Sequence, residues 1–215
     1  MLQATLETLY MSFVSLIISW LIALPLGTLV SETRPGGLFP NRTLNFILNR
    51  IIDIGRAVPF ILLVVFLFPV TRFIVGTSIG TTAMIVPLTI CAIPFEARLI
   101  EESLSEIPYS IVEAAKIDGA NNLVIIVRIK WGCKIPYFVN SISISLINII
   151  GYSAMAGVVG GGGIGNYAIV YGFQRFNWSL IAYSVLIIIA IVVVIQSVNN
   201  ILVRYLLRRI LCKKH

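Results

Sequence analysis

TLYMSFVSLIISWLIALPLGTLVS, residues 8–31, runs without a single charged side chain. The hydrocarbon core of a bilayer needs about 20 apolar residues as helix, so this stretch is long enough to cross it. The same feature recurs along the chain. No charge falls from Phe73 to Phe95, from Ile135 to Gln174 or from Phe176 to Val203, and a shorter gap runs from Ala57 to Thr71. The stretches beginning at Thr8, Phe73 and Phe176 hold one crossing each. The stretch from Ile135 holds one crossing and a glycine-rich loop. The short gap spans only if its helix starts before Arg56, near Phe46. The pattern predicts an all-α integral membrane protein with about five transmembrane helices, roughly 9–31, 47–70, 78–96, 137–158 and 178–203.

Composition points the same way. Of 215 residues, 58% are hydrophobic and 12% are charged. A soluble domain carries about 25% charge, so this chain has too little polar surface to cover a water-soluble globule. Arginines and lysines set the orientation, because they collect on the cytoplasmic side. The first eight residues have none. Arg34, Arg42 and Arg50 follow span 1, Arg98, Lys116, Arg128, Lys130 and Lys134 follow span 3, and Arg204, Arg208, Arg209, Lys213 and Lys214 form the tail. The opposite side has only Arg72 and Arg175. The N-terminus is therefore expected outside and the C-terminus in the cytoplasm, which requires an odd number of crossings. The net charge of +7 then reflects topology and attraction to anionic lipid, with no reason to invoke nucleic acid. Span 1 lacks the basic n-region of a cleaved leader and is too long for one. Cys91, Cys133 and Cys212 are an odd, scattered set, which argues against a disulfide framework.

Residues 96–134 hold 11 of the 25 charged side chains. A connection beyond about 12–15 residues usually carries structure or function. This one reads as a helical hairpin. Ser110 and Glu113 have the spacing of a capping box, Ala114 and Ala115 favour helix, and Gly119 suits the left-handed residue that ends one. Asn121 or Asn122 caps a second helix running to about Trp131, and Pro136 marks the start of span 4. One reading is a solvated, well-capped hairpin and nothing more. The other is a docking element, since paired alanines and a glycine at a helix end permit close approach of another protein.

The stretch EAAKIDG, 113–119, resembles the EAA signature of the permease subunits of ABC importers, Glu-Ala-Ala, three residues, then Gly. Ile129 stands at the offset where the family pattern resumes, although Trp131-Gly132 replaces its usual Leu-Pro. TRPGG (33–37), AVPFILLV (57–64), TRFIVGTSIG (71–80), IVPLTICAIPFEAR (85–98), EIPYSIVEA (106–114) and GYSAMAGVVGGGGIG (151–165) are similar, in order, to the methionine importer permeases. The resemblance implies a type I transmembrane domain over 5–197, a basic cytoplasmic tail over 198–215, and multi-pass residence in a bacterial inner membrane. It implies a coupling helix between spans 3 and 4, formed by Glu113, Ala114, Ala115, Lys116, Asp118, Gly119 and Ala120, seated in a cytoplasmic ATPase. It also implies a homodimer with two ATPase subunits and a substrate-binding lipoprotein, moving D- or L-methionine inward. This chain would bind no cofactor, and ATP would be used by the partner.

Other residues are read from their chemistry. Asp53 and Arg56 are three apart and can pair along one helix face. Gly151, Ser153, Ala154, Ala156 and Gly157 form a small-residue surface on span 4, where helices can approach closely in lipid. That surface suits a packed central helix, or a subunit interface lining the path. Tyr152 and Met155 interrupt it; the flexible Met155 would close an apolar gate or simply fill a gap. Gly160 to Gly163 and Gly165 permit positive φ, as a backbone approached by a docked binding protein would need. No Lys-Ser or Lys-Thr follows them, so they do not form a phosphate loop. His215 is the only histidine and no paired carboxylates fall within a span, which argues against chemistry performed by this chain. Three alternatives stay open: the same importer class with another amino acid or a peptide as cargo, a membrane scaffold that recruits a cytoplasmic protein, and an ion channel. The channel reading lacks a filter or charged ring.

Overall fold

Helix α1, Leu2–Thr33, and helix α5, Thr81–Ser105, lie along one another and form the centre of the structure. A side-chain carbon at Gly27 would fall 2.5 Å from the Ala97 carbonyl oxygen and 2.8 Å from Ile100 Cβ. The two backbones therefore touch at that crossing. Contacts of this kind hold helices together in lipid, where burying apolar surface has no water-driven gain. The computed structural model describes residues 1–211. Cys212, Lys213, Lys214 and His215, the end of the predicted basic tail, lie outside the described residues.

The other elements arrange themselves around this pair. Helix α2, Arg42–Ala57, is followed by two short helices, α3 (Phe60–Phe66) and α4 (Phe68–Val75). Helix α6, Tyr109–Ile117, and the single turn α7, Asn122–Val124, follow α5. A wide π turn over Ile125–Lys130 leads directly into α8, Trp131–Val158. The short α9, Gly163–Tyr167, continues as a second wide turn over Ala168–Phe173, and α10, Trp178–Leu211, closes the fold. Among the described residues all regular structure is helical. Met11, Met84, Leu88, Ile149 and Ile150 form one core where α1, α5 and α8 meet. Ala23, Val30, Ile52, Ala97, Ile100 and Leu104 form a second toward the C-terminal ends of α1 and α5. Among the described residues four helical segments are long and apolar enough to cross a membrane: Leu2–Thr33, Thr81–Ser105, Asn122–Phe173 and Trp178–Arg208. Most of α10 faces outward with apolar side chains such as Leu186, Val194 and Ile201, as suits a helix against lipid.

Several expectations need correction. The predicted second span is not one helix. Pro59 has no N–H and disfavours helix at the residue before it, so Val58 is extended (φ −77°, ψ 122°) and α2 stops there. The chain breaks again at Leu67, two residues before Pro69. Asp53 does not pair with Arg56. Its carboxylate meets Arg98 of α5 at 2.6 Å, and Arg98 also takes Glu101 and donates to Asn49 Oδ1 at 2.8 Å. This follows from tertiary packing, which brings α2 onto α5 where Gly55 faces Pro94. The Ser110–Glu113 capping box does not form: α6 begins at Tyr109 with Pro108 as its cap and no side-chain cap bond, which leaves Ser110 already inside the helix. Pro136 lies within α8 and does not mark its start, because the second arm of the hairpin runs into that helix without a break. Glu96, at the predicted end of span 3, lies well inside α5, which runs on to Ser105. It is fully buried on α5 and accepts a hydrogen bond from the Ser19 hydroxyl at 2.9 Å.

Candidate functional site

Two regions carry the residues singled out from sequence. The first is the hairpin between α5 and α8. Helix α6 ends as predicted at Gly119, whose φ is +81°. The Gly119 N–H donates to the Lys116 carbonyl and the Ala120 N–H to the Ala115 carbonyl, both at 3.0 Å. This is the paired closure of a Schellman end, which satisfies two otherwise orphaned carbonyls. Asn121 then caps the next turn, its side chain accepting from the Val124 N–H at 2.9 Å.

The hairpin has an inner and an outer face. Val112 and Ala115 are buried against Ile125, Ala120, Ile129 and Leu38, so the hairpin is seated on the loop after α1. Glu113, Ala114, Lys116, Asp118 and Gly119 are exposed, and Ile117 is 81% exposed. The seven predicted residues thus split: Ala115 and Ala120 hold the element together, and the others present a small, mixed-charge surface with one protruding apolar side chain.

Beneath the hairpin lies an ion pair that the sequence reading missed. The Lys130 ammonium donates to both oxygens of Glu32 at 2.6 and 2.8 Å, with the two side chains only 6% and 1% exposed. The Leu38 N–H also donates to Glu32, at 3.2 Å. One residue on, the Trp131 indole donates to the Thr28 hydroxyl at 3.1 Å. A chain of contacts therefore runs from α6 through Leu38 to Glu32, Lys130 and the body of α1. The residue types were visible in the sequence, but a separation of 98 positions hides the pairing.

The second region is a cleft of about 530 Å³ at the α2–α3 break, walled by Arg56, Phe60, Cys91, Phe95, Tyr152 and Met155. Phe60 stacks on Tyr152 with ring centres 5.1 Å apart. Of Gly151, Tyr152, Ser153, Met155 and Gly157, the residues expected along a path, Tyr152 and half-exposed Met155 line this cleft. Gly151 lies on the exposed side of α8 with no atom within 4 Å of where its Cβ would be. Ser153 and Gly157 face inward instead. The Ser153 hydroxyl donates to the Ile150 carbonyl at 2.7 Å, and a carbon on Gly157 would strike the backbone of Asn166 and Gly165 in α9. Cys91 and Cys133 are both free thiols.

The glycine loop has positive φ at Gly160, Gly162 and Gly163, as expected. What approaches its backbone is this chain's own α1. Glu7 accepts from the Gly163 N–H and Thr8 from the Ile164 N–H, each at 2.9 Å. A side chain at Gly163 would meet Met11 and Thr8 at 2.6 Å.

Comparison with known proteins bears on both regions. Residues 23–211 match the family model described as binding-protein-dependent transport system inner membrane component. The chain is 48% identical over 204 residues to a probable D-methionine transport system permease protein MetI of Vibrio cholerae, covering 95% of this chain and 91% of that one. It is 49% identical to its counterpart from Pasteurella multocida, covering 90% of this chain and 89% of that one. An inward-facing structure of the MetNI methionine ABC transporter superposes with a TM-score of 0.93 at 40% identity, covering 95% of each chain. An amino acid ABC transporter structure at 15% identity, with a TM-score of 0.78 over 95% of this chain and 92% of that one, shares the fold.

Proposed function

The chain belongs to the binding-protein-dependent transport system inner membrane components, and from that premise we infer that it is the membrane-spanning permease subunit of an ATP-driven methionine importer. The observation that carries the cargo is its likeness, over nearly the whole chain, to permeases named for D-methionine and to the MetNI transporter. It is an inner-membrane transport component, and ATP hydrolysis is the work of a partner ATPase.

The proposal extends to finer detail. The permease crosses the membrane five times, with the N-terminus outside and the C-terminus cytoplasmic. The broken run α2–α3–α4 makes the second crossing, its interruption shielded by neighbouring helices. The transmembrane domain occupies 5–197 and the basic tail 198–215. Two copies assemble with two ATPase subunits and receive cargo from an extracytoplasmic lipoprotein. The outer face of α6, with Glu113, Ala114, Lys116, Asp118 and Gly119, docks in the ATPase, while Ala115 and Ala120 anchor it. The buried Glu32–Lys130 pair makes the hairpin and α1 move together. Tyr152 and Met155 line the path, with Met155 at its gate, Ser153 and Gly157 supply the close packing behind it, and Gly151 leaves open space on the exposed side of α8. The chain itself holds no cofactor.

The test is co-expression with an ATPase and a lipoprotein of this importer class in cells lacking methionine uptake. Labelled methionine should enter in an ATP-dependent way. Gly119→Glu should abolish entry while leaving membrane insertion intact, because it places a bulky acid where α6 must dock. Normal uptake by that variant would remove the coupling role. A complex that forms but moves another amino acid would change the cargo, and failure to bind any ATPase would favour a scaffold.

A further inference from the structure

Resting on the importer reading, we propose that Arg56, at the α2–α3 break, holds the carboxylate of the amino-acid cargo as it crosses. Arg56 stands among apolar neighbours, with Ile54, Val58, Phe60 and Ile61 on either side. Its side chain is exposed in the last turn of α2, and on the proposed second crossing an ionisable residue marks a site of function by default. Its obvious intrahelical partner is taken: Asp53, three residues back, is held by Arg98 at 2.6 Å. Among the described residues Arg56 makes no ion pair of its own, and it lies in the wall of the cleft. The guanidinium is thus left free to meet an anion, and its fork geometry matches a carboxylate with two parallel hydrogen bonds.

The rest of the cleft suits the rest of an α-amino acid. Pro59 has no N–H to return to the Gly55 carbonyl, and the extended Val58 ends the helix there. Carbonyls at such a break, together with the C-terminal end of a half-helix, accept from cations in discontinuous membrane helices, so this edge faces the cargo ammonium. Phe60 stacked on Tyr152, together with Cys91 and Met155, forms the apolar wall for an uncharged, sulfur-containing side chain. Sulfur against aromatic rings is a favourable contact. The volume of about 530 Å³ falls among those of small-molecule sites.

The experiment uses the purified permease–ATPase complex in nanodiscs, without the lipoprotein, whose own recognition of cargo would mask the effect. Binding of labelled methionine is measured with methionine and methionine amide as competitors. The wild-type complex should bind methionine saturably, and the amide, which lacks the carboxylate, should compete about tenfold or more less well, as loss of a charge-assisted hydrogen bond requires. Arg56→Gln should weaken binding by a similar factor, and Arg56→Lys, which keeps the charge, should restore part of it. Equal competition by the amide, unchanged affinity in Arg56→Gln, or no saturable binding by the wild type would each overturn the proposal. ATP-driven uptake by the wild-type complex with its lipoprotein, run in parallel, separates the two levels. Intact methionine uptake alongside any of those outcomes removes only the Arg56 site, whereas absent uptake removes the cargo assignment beneath it.

Discussion

Glu32→Ala should be among the most damaging single changes in this chain. The Lys130 ammonium rests on both Glu32 oxygens at 2.6 and 2.8 Å, and both side chains are almost wholly buried. Truncating Glu32 leaves a buried lysine with no counter-charge, which costs about 3–5 kcal/mol. The Leu38 N–H loses its acceptor as well. Removing both charges is different, because two apolar residues of similar volume need no desolvation. The double variant Glu32→Leu with Lys130→Met should therefore recover most of the loss and stand within about 1–2 kcal/mol of wild type. Unfolding in mixed micelles, followed by tryptophan fluorescence for the wild type, each single variant and the double, gives the four corners of the cycle. Uptake measured at matched membrane levels should also fall in the single variants, since Leu38 carries the hairpin's inner face. A Glu32→Ala cost below about 1 kcal/mol, or a double variant worse than either single, would refute the reasoning.

Other expectations rest on separate observations. Gly165→Ala should destabilise the protein by about 1–3 kcal/mol, because its new carbon would strike the Ala154 backbone. Gly151→Ala, with open space around it, should leave the unfolding free energy unchanged or raise it by up to about 1 kcal/mol. Glu96→Gln keeps an acceptor for the Ser19 hydroxyl and should unfold within about 1 kcal/mol of wild type, whereas Glu96→Ala removes that buried bond, leaving the hydroxyl the Leu16 carbonyl at 3.1 Å, and should cost about 1–3 kcal/mol. Met155→Ala should raise ATP-independent methionine leakage from proteoliposomes if the side chain closes the path; a tight, fully active variant would make Met155 a filler.

Much of this protein was legible in one dimension. Uncharged stretches mark membrane helices because the bilayer imposes a length and a composition on every segment that crosses it. Gly119 announces a helix end because a left-handed φ is a local requirement, and the fold places one there. The EAAKIDG stretch and the ordered segments around it pointed to the right family because each is a short, contiguous piece of chain that can be read without knowing the fold. Failures arose where a local signal had a tertiary competitor. Asp53 and Arg56 had the right spacing to pair, yet Arg98 is the nearer partner once α2 lies on α5. Ser110 and Glu113 had the right pattern to cap, but Pro108 starts the helix first. Only the tertiary structure could join Glu32 to Lys130 or bury Glu96 beside Ser19, and only it could turn the backbone of Gly163 toward Glu7. Those contacts link residues roughly 80–160 positions apart. No periodicity records such a link, because it depends on which helices touch and at what crossing, and that is set by the packing of the whole bundle.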